Sequence, residues 1–141
     1  MELNTKYHGV REYDENDTIT FKKGLPGFES LKNFILFSVE ENELFSILQS
    51  VEDANIGIVV MSPFSAVNDY EFRLSDEKIS ELHIEAPEDV LVLSTVTLSS
   101  RAEDITTNLK APIIINIKQK LGEQIILDND HYKIKNPLFN G

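Results

Sequence analysis

The segment 24–29 (GLPGFE) constrains its backbone more tightly than any other part of this sequence. Pro26 fixes φ near the value needed at the second position of a β-turn, and Gly27 follows where a type II turn needs a positive φ. Leu25 precedes a proline and is therefore expected to be extended. The segment predicts a strand end, a rigid turn and then Phe28. Because it offers no nucleophile and no set of metal ligands, it indicates shape and partner recognition rather than catalysis.

Length and composition are typical of one soluble domain. The chain has 141 residues, 41% of them hydrophobic, and a chain of this size buries roughly two thirds of its unfolded surface. We therefore expect a single domain, residues 1–141. The sequence contains no cysteine, which excludes disulfides and thiol chemistry. It also shows no secretory signal and no apolar run near the ~20 residues of a membrane helix, so the expected location is the cytoplasm.

The charge balance limits the kind of partner. Twenty-four acidic residues against 13 Lys and Arg give a formal net charge of −11. A field of that sign repels phosphate backbones and attracts basic proteins. Direct nucleic-acid binding is therefore disfavoured. The alternative interpretation is that the acids only keep the protein soluble.

Most of the chain is predicted to form short strands separated by turns. Alternating or continuous apolar patterns rich in β-branched and aromatic residues mark these segments. The predicted strands are 18–21, 34–39, 45–51, 56–61, 70–74, 90–98, 113–118, 123–127 and 131–135. The pair 113–118 and 123–127 predicts a β-hairpin whose turn lies at 119–122.

One short helix is predicted at about residues 76–83. Ser75 is a good N-cap, two acids follow it in the first turn, and Leu74 with Ile79 has the spacing of a hydrophobic staple. Ile79, Leu82 and His83 would face inward. A weaker signal for a helical turn lies at 30–33. The fold class is therefore mainly β, a small antiparallel or mixed barrel-like folded sheet with one short helix.

No catalytic, cofactor or metal site is predicted. The three histidines are far apart in sequence and belong to no zinc-binding spacing; they are His8, His83 and His131. Acidic pairs such as 40–41 and 52–53 are interpreted as solvated loop charge. The chain is therefore not expected to be an enzyme.

Four stretches follow one another in a specific order and spacing. They are 21–29 (FKKGLPGFE), 48–50 (LQS), 108–116 (NLKAPIIIN) and 122–127 (GEQIIL). On this ordered set the chain resembles the bacterial flagellar assembly factor FliW family. The resemblance extends from Tyr7 to about Tyr132.

The resemblance implies a non-enzymatic regulator without a cofactor and with two alternative protein partners. Independently of the resemblance, the default expectation for the free protein is a monomer. Proteins of this family bind newly made flagellin in the cytoplasm. When flagellin is exported, the freed protein binds CsrA, a small RNA-binding repressor of flagellin translation, and antagonises it. An acidic protein suits a repressor that must be basic where it holds RNA.

Candidate contact residues divide into two chemical groups. Apolar residues outside the predicted strand cores could receive the amphipathic terminal helices of flagellin, and acids at the strand-to-helix junction could meet a basic partner. The candidates are Leu25, Phe28, Glu29, Phe64, Glu71, Asp76, Glu77, Leu138 and Phe139. The alternatives are core packing for the apolar side chains, and helix capping and solvation for the acids.

Other functions remain open from the residues alone. A small β-barrel could bind a small molecule in its interior, but only if apolar side chains do not fill that interior. The protein could also be a flagellin chaperone without any effect on the repressor. An oligonucleotide-binding barrel would need a basic face with stacking aromatics, whereas the aromatic residues here are accompanied by acids.

Overall fold

The computed structural model describes residues 1–6, 8–39 and 42–139. The predicted loop charge at 40–41 and the first residue of the family resemblance, at position 7, lie outside them. The described strands are β1 Glu2–Thr5, β2 Gly9–Glu12, β3 Ile19–Thr20, β4 Asn33–Val39, β5 Asn42–Ser50, β6 Gly57–Met61, β7 Val90–Thr97, β8 Thr106–Thr107, β9 Ile113–Asn116, β10 Leu121–Gln124 and β11 Asn136–Pro137. The described α-helices are α1 Pro63–Ala66 and α2 Asp76–Glu81, and single 3-10 turns lie at Glu15–Asp17, Pro87–Asp89 and Ala102–Asp104.

The main sheet closes on itself. Within the described chain it has nine strands in the order β11-β8-β7-β6-β5-β4-β3-β10-β9, and β9 also pairs with β7. The ring is closed by one parallel pairing, between Leu121 of β10 and Thr20 of β3, while the other pairings are antiparallel. β8 and β11 extend from β7, and β1 and β2 form a separate hairpin. The result is a mixed, mainly β ring rather than a regular barrel, which confirms the predicted fold class.

Apolar side chains fill the inside of this ring. The cluster consists of Ile19, Phe21, Leu25, Phe34, Leu48, Val60, Leu93, Ile113 and Ile115, each at most 5% exposed. The rings of Phe21 and Phe34 meet edge to face with centroids 5.5 Å apart. A barrel that binds a ligand needs an open interior, whereas side chains fill this one. The packing therefore counts against the small-molecule alternative.

The turn at 24–29 is formed as predicted. Gly27 has φ +86°, the value of the third position of a type II turn, and the Phe28 N–H donates to the Leu25 carbonyl at 2.7 Å. Gly24 is also in the left-handed region, and a Cβ there would lie 2.6 Å from the backbone of Glu29. The turn therefore folds back on itself and places Leu25 in the core.

The helix prediction is confirmed, with a correction at its end. The Ser75 hydroxyl accepts the Lys78 N–H, as expected of an N-cap, and Leu82 is buried. His83, predicted to face inward, is exposed at φ +54°. The N–H of His83 donates to Ser80, and that of Ile84 donates to Ile79. This is a Schellman motif, so His83 ends the helix instead of packing inside it.

The predicted hairpin exists, but its turn lies earlier than predicted. The chain reverses at 117–120, where the Asn116 side chain accepts the N–H groups of Lys118 and Gln119. Gly122, which was predicted to form part of the turn, lies in β10 instead. A glycine is needed there because a Cβ would lie 2.5 Å from the Phe21 ring. Gly122 thus makes room for a core side chain.

Two predicted strands and the predicted turn of helix are wrong. Segment 131–135 forms turns, and segment 70–74 pairs with no strand of the described chain. Side-chain hydrogen bonds hold these segments instead: the Tyr70 hydroxyl donates to the Leu109 carbonyl, and the Tyr132 hydroxyl accepts the Glu71 N–H. Residues 30–32 contain no helix, and β4 begins at Asn33. The strands β1, β2, β8 and β11 and the helix α1 were not predicted.

Candidate protein-binding groove

A groove of about 810 Å³ runs beside β7 on the outside of the ring. We call it the β7 groove and define it by its lining, residues 62, 64, 70–74, 76, 79, 84–87 and 90–92. Four parts of the fold build it: the first half of β7, the start of α1, the helix α2 with the turn that follows it, and the segment 70–74. It combines apolar walls with several exposed charged residues.

Tyr70 anchors the segment that forms one wall. Its hydroxyl donates to the Leu109 carbonyl at 2.7 Å, and its ring lies 4.6 Å from that of Tyr132. The Tyr132 hydroxyl in turn accepts the Glu71 N–H at 2.9 Å. Burial raises the pKa of the Tyr70 phenol, and the neighbouring Tyr132 adds to the rise. The phenol therefore stays protonated and keeps its role as a donor at neutral pH.

Apolar side chains line the walls and floor. Phe64 projects from α1 at 45% exposure and meets Tyr70 edge to face, with ring centroids 5.7 Å apart. Ile79 and Ile84 close the C-terminal turn of α2 and are both half-buried. Such partly exposed apolar surface in a concave site is typical of protein-interaction grooves.

The rim is mainly acidic. Glu71, Asp76 and Glu85 are exposed there, against a single arginine, Arg73, among the lining residues. Asp76 is the first residue of α2, and the Glu71 N–H is hydrogen-bonded to Tyr132. The backbone positions of both acidic residues are therefore fixed by the fold. A partner with basic residues beside apolar ones would match this arrangement.

An ion-pair network fixes α2 beside the groove. Lys78 contacts Glu123 of β10 and lies 3.2 Å from Glu81, while Lys23 reaches Glu123 at 3.4 Å and Glu81 at 3.6 Å. The hydrogen bond to Glu123 raises the pKa of the Lys78 ammonium. The side chain of Glu123 is only 12% exposed, so this pair is screened less than a surface pair. The network joins α2 to the ring.

The described residues contain no group of three or more His, Asp or Glu side chains that could hold a metal ion. No helix in residues 1–6, 8–39 and 42–139 has the length and apolar character needed to cross a membrane.

Comparison with known proteins identifies the family. A family model described as FliW protein matches residues 2–138. The chain is 60% identical over 141 residues to the flagellar assembly factor FliW of Clostridium kluyveri, covering all of this chain and 97% of the relative. It is 60% identical over 139 residues to that of Clostridium tetani, covering 99% and 96%.

A solved structure agrees with these relatives. The crystal structure of a flagellar assembly factor FliW matches with a TM-score of 0.91 at 41% identity, covering 99% of this chain and 98% of that one. The chain belongs to the FliW family. FliW proteins are non-enzymatic flagellar assembly factors, which confirms both the resemblance and the expectation that the chain is no enzyme.

The structure of this FliW-family chain brings three of the predicted contact residues together. Phe64, Glu71 and Asp76 all line the β7 groove. Glu77 is exposed on the same helix as Asp76 but does not line the groove. One apolar candidate, Phe64, therefore shares a surface with two acidic candidates, although from the sequence the two chemical groups were assigned to different partners.

The other candidates lie elsewhere. Leu25 is 2% exposed and belongs to the core, so it is not available as a surface contact. Phe28 is half-buried, and the Glu29 carboxylate accepts the Gly27 N–H, which gives it a role inside the turn. Leu138 packs against the cluster around Phe45, and Phe139 is exposed next to it.

Sequence reasoning missed several groove residues. Phe72, Ile79, Ile84, Val90 and Val92 line it but look like ordinary core positions in the sequence. The sequence did contain one signal for these residues, because apolar and charged side chains alternate at 70–74 as in a half-buried strand. The alternation marks one wall of the groove even though the segment joins no sheet.

Proposed function

We propose that this FliW-family chain binds flagellin in the cytoplasm and, once released from it, binds and antagonises CsrA. Repression of flagellin translation is thereby relieved when flagellin has been exported. The observation that carries this proposal is the β7 groove, because it combines apolar walls with an acidic rim on the outside of a fully packed ring. One chain, acting as a monomer and a single domain, performs both interactions.

The apolar part of the groove supports flagellin binding. The terminal segments of flagellin are amphipathic helices that have little to pack on before assembly. Phe64, Phe72 and Ile84 offer partly exposed apolar surface of the kind that receives such a helix. Phe139, 41% exposed, is a second apolar contact outside the groove.

The acidic rim supports CsrA binding. A repressor that holds RNA presents a basic surface, and the rim acids add a local negative field to the net charge of −11. That field opposes RNA near the bound repressor even where the chain does not cover the RNA site. RNA itself would be repelled by this chain, so we propose no direct nucleic-acid contact.

The shared groove supports direct competition between the two partners. Phe64 lines the same cavity as Glu71 and Asp76, and we propose that a segment seated on one of them covers the others. Flagellin bound in the groove would therefore block CsrA. This exclusion is what makes flagellin abundance the signal.

Co-purification from living cells tests the proposal. We expect the tagged chain to carry flagellin when flagellin export is blocked, and to carry CsrA when export proceeds. Recovery of flagellin under both conditions without CsrA would favour the chaperone function alone. Recovery of neither protein would overturn the proposal.

A further inference from the structure

The main chain of β7 has an unpaired stretch that faces the groove. β7 pairs with β9 through Leu91↔Ile115 and Leu93↔Ile113, and the Ile117 N–H donates to the Asp89 carbonyl at 2.9 Å. In an antiparallel ladder, hydrogen-bonded and non-hydrogen-bonded pairs alternate. The residues of β7 with odd numbers therefore point their N–H and C=O groups at β9. Those of Val90 and Val92 point to the opposite edge.

β6 covers only the far half of that opposite edge. Its pairing with β7 ends at Met61↔Ser94. Continuing the register would place Pro63 opposite Val92, but Pro63 begins α1 and has no N–H to donate. The Val90 N–H is used by the carbonyl of Pro87. Within the described chain, the N–H and C=O of Val92 are left without a strand partner, in the wall of an apolar groove.

Segment 70–74, which lines the same groove, has the residue pattern of a strand but pairs with no strand of the described chain. Tyr70, Phe72 and Leu74 are buried or half-buried, while Glu71 and Arg73 are exposed, which is the alternation of a half-buried strand. Among the hydrogen bonds of the described residues, the Tyr70 N–H donates to the Val67 carbonyl and the Glu71 N–H donates to the Tyr132 hydroxyl, and neither bond joins the segment to a strand. The lining of the groove thus includes both an unpaired strand edge and a segment with the alternation of a strand.

From these observations we propose that the groove receives an extended segment of a basic protein partner as an added strand on β7, hydrogen-bonded to Val92. This deepens the proposed function and rests on it, since it names how the partner is held. Alternate apolar side chains of the segment pack on Phe72 and Ile79, while basic side chains reach Glu71 and Asp76. An unpaired strand edge can pair with the backbone of any extended segment. The specificity for a basic partner therefore comes from the acidic residues and the apolar walls of the groove.

Residue-level NMR on the full chain tests strand addition directly, with purified CsrA of the same bacterium as the probe. In the free protein we expect slow amide exchange at Leu91 and Leu93, which are paired with β9, and fast exchange at Val92. Saturation with CsrA should slow the Val92 amide about tenfold or more. It should also produce a scalar coupling across the hydrogen bond from the Val92 nitrogen to a carbonyl carbon of CsrA.

The outcomes separate this inference from the proposed function. A saturated complex in which the Val92 exchange rate and coupling are unchanged would overturn strand addition and leave CsrA binding intact. Failure of CsrA to bind at all would remove both.

A pair of variants adds a test by affinity. Val92→Pro removes the N–H that faces the groove without removing a hydrogen bond to β9, while Val92→Ala trims the same side chain and keeps the N–H. We expect Val92→Pro to weaken CsrA binding about fivefold more than Val92→Ala, the effect of one neutral hydrogen bond. Equal affinities of two folded variants would contradict the inference, and if Val92→Pro does not fold, the NMR experiment decides.

Discussion

Gly122 shows how one residue fixes the packing of the ring at the residue scale. It lies in β10 beside the ring of Phe21, which is fully buried, and a Cβ at this position would come within 2.5 Å of the aromatic carbons. The neighbour is a rigid ring in a filled core, so it has little space to move. The family signature GEQIIL therefore contains a packing requirement rather than a turn.

Gly122→Ala should destabilise the protein by about 1–3 kcal/mol, the usual cost of overpacking a core. Denaturant unfolding would measure the change, with Phe21→Leu as the matched background because it removes the atoms that clash. In that background the added methyl should cost at least about 1 kcal/mol less. The same cost in both backgrounds would show that Phe21 is not the reason for the glycine.

At the scale of elements, the ion-pair network around Lys78 stabilises the position of α2 beside the groove. Glu123→Gln removes the most buried carboxylate of that network, whereas Asp130→Asn removes one from a pair with Lys110 in which the aspartate is 95% exposed. Unfolding measurements should show a loss of about 1–3 kcal/mol for Glu123→Gln and within about 0.5 kcal/mol for Asp130→Asn. Amide exchange in α2 should also rise in Glu123→Gln. Equal effects of the two variants would mean that the network is a surface feature only.

The elements also show what the sequence could predict. The turn at 24–29 and the start of α2 depend on local chemistry, a Pro-Gly pair and a serine cap, and both were predicted correctly. The hairpin turn was misplaced because Gly122 serves a contact with Phe21, which is about 100 residues away and invisible to local patterns. Segment 70–74 has the pattern of a strand, but tyrosine hydrogen bonds hold it instead of a ladder.

The candidate site was predicted in part for the same reason. Phe64, Glu71 and Asp76 were chosen from exposure and charge, which local patterns report. Their meeting in one groove, and the burial of Leu25, depend on how the ring closes. Ring closure requires the parallel contact between β3 and β10, two elements that are far apart in sequence.

At the scale of the whole molecule, charge should govern how fast the basic partner arrives. Glu71→Gln combined with Asp76→Asn removes two rim acids, while Glu2→Gln combined with Glu43→Gln makes the same change of net charge outside the groove lining. At low salt, stopped-flow association with CsrA should slow about three- to tenfold for the rim pair and less for the control pair. High salt should reduce the difference. Equal rates for both pairs, or rates without salt dependence, would contradict the role of the rim.

The central claim is that one groove holds both partners, and a single side chain tests it most directly. Phe64→Ser removes an exposed apolar group from the β7 groove, and Ile126→Ser removes one that is 75% exposed and outside the groove lining. Calorimetric titration with flagellin and with CsrA should show affinities lowered about tenfold for both partners by Phe64→Ser, and unchanged by Ile126→Ser. Full affinity of a folded Phe64→Ser variant for both partners would contradict the account.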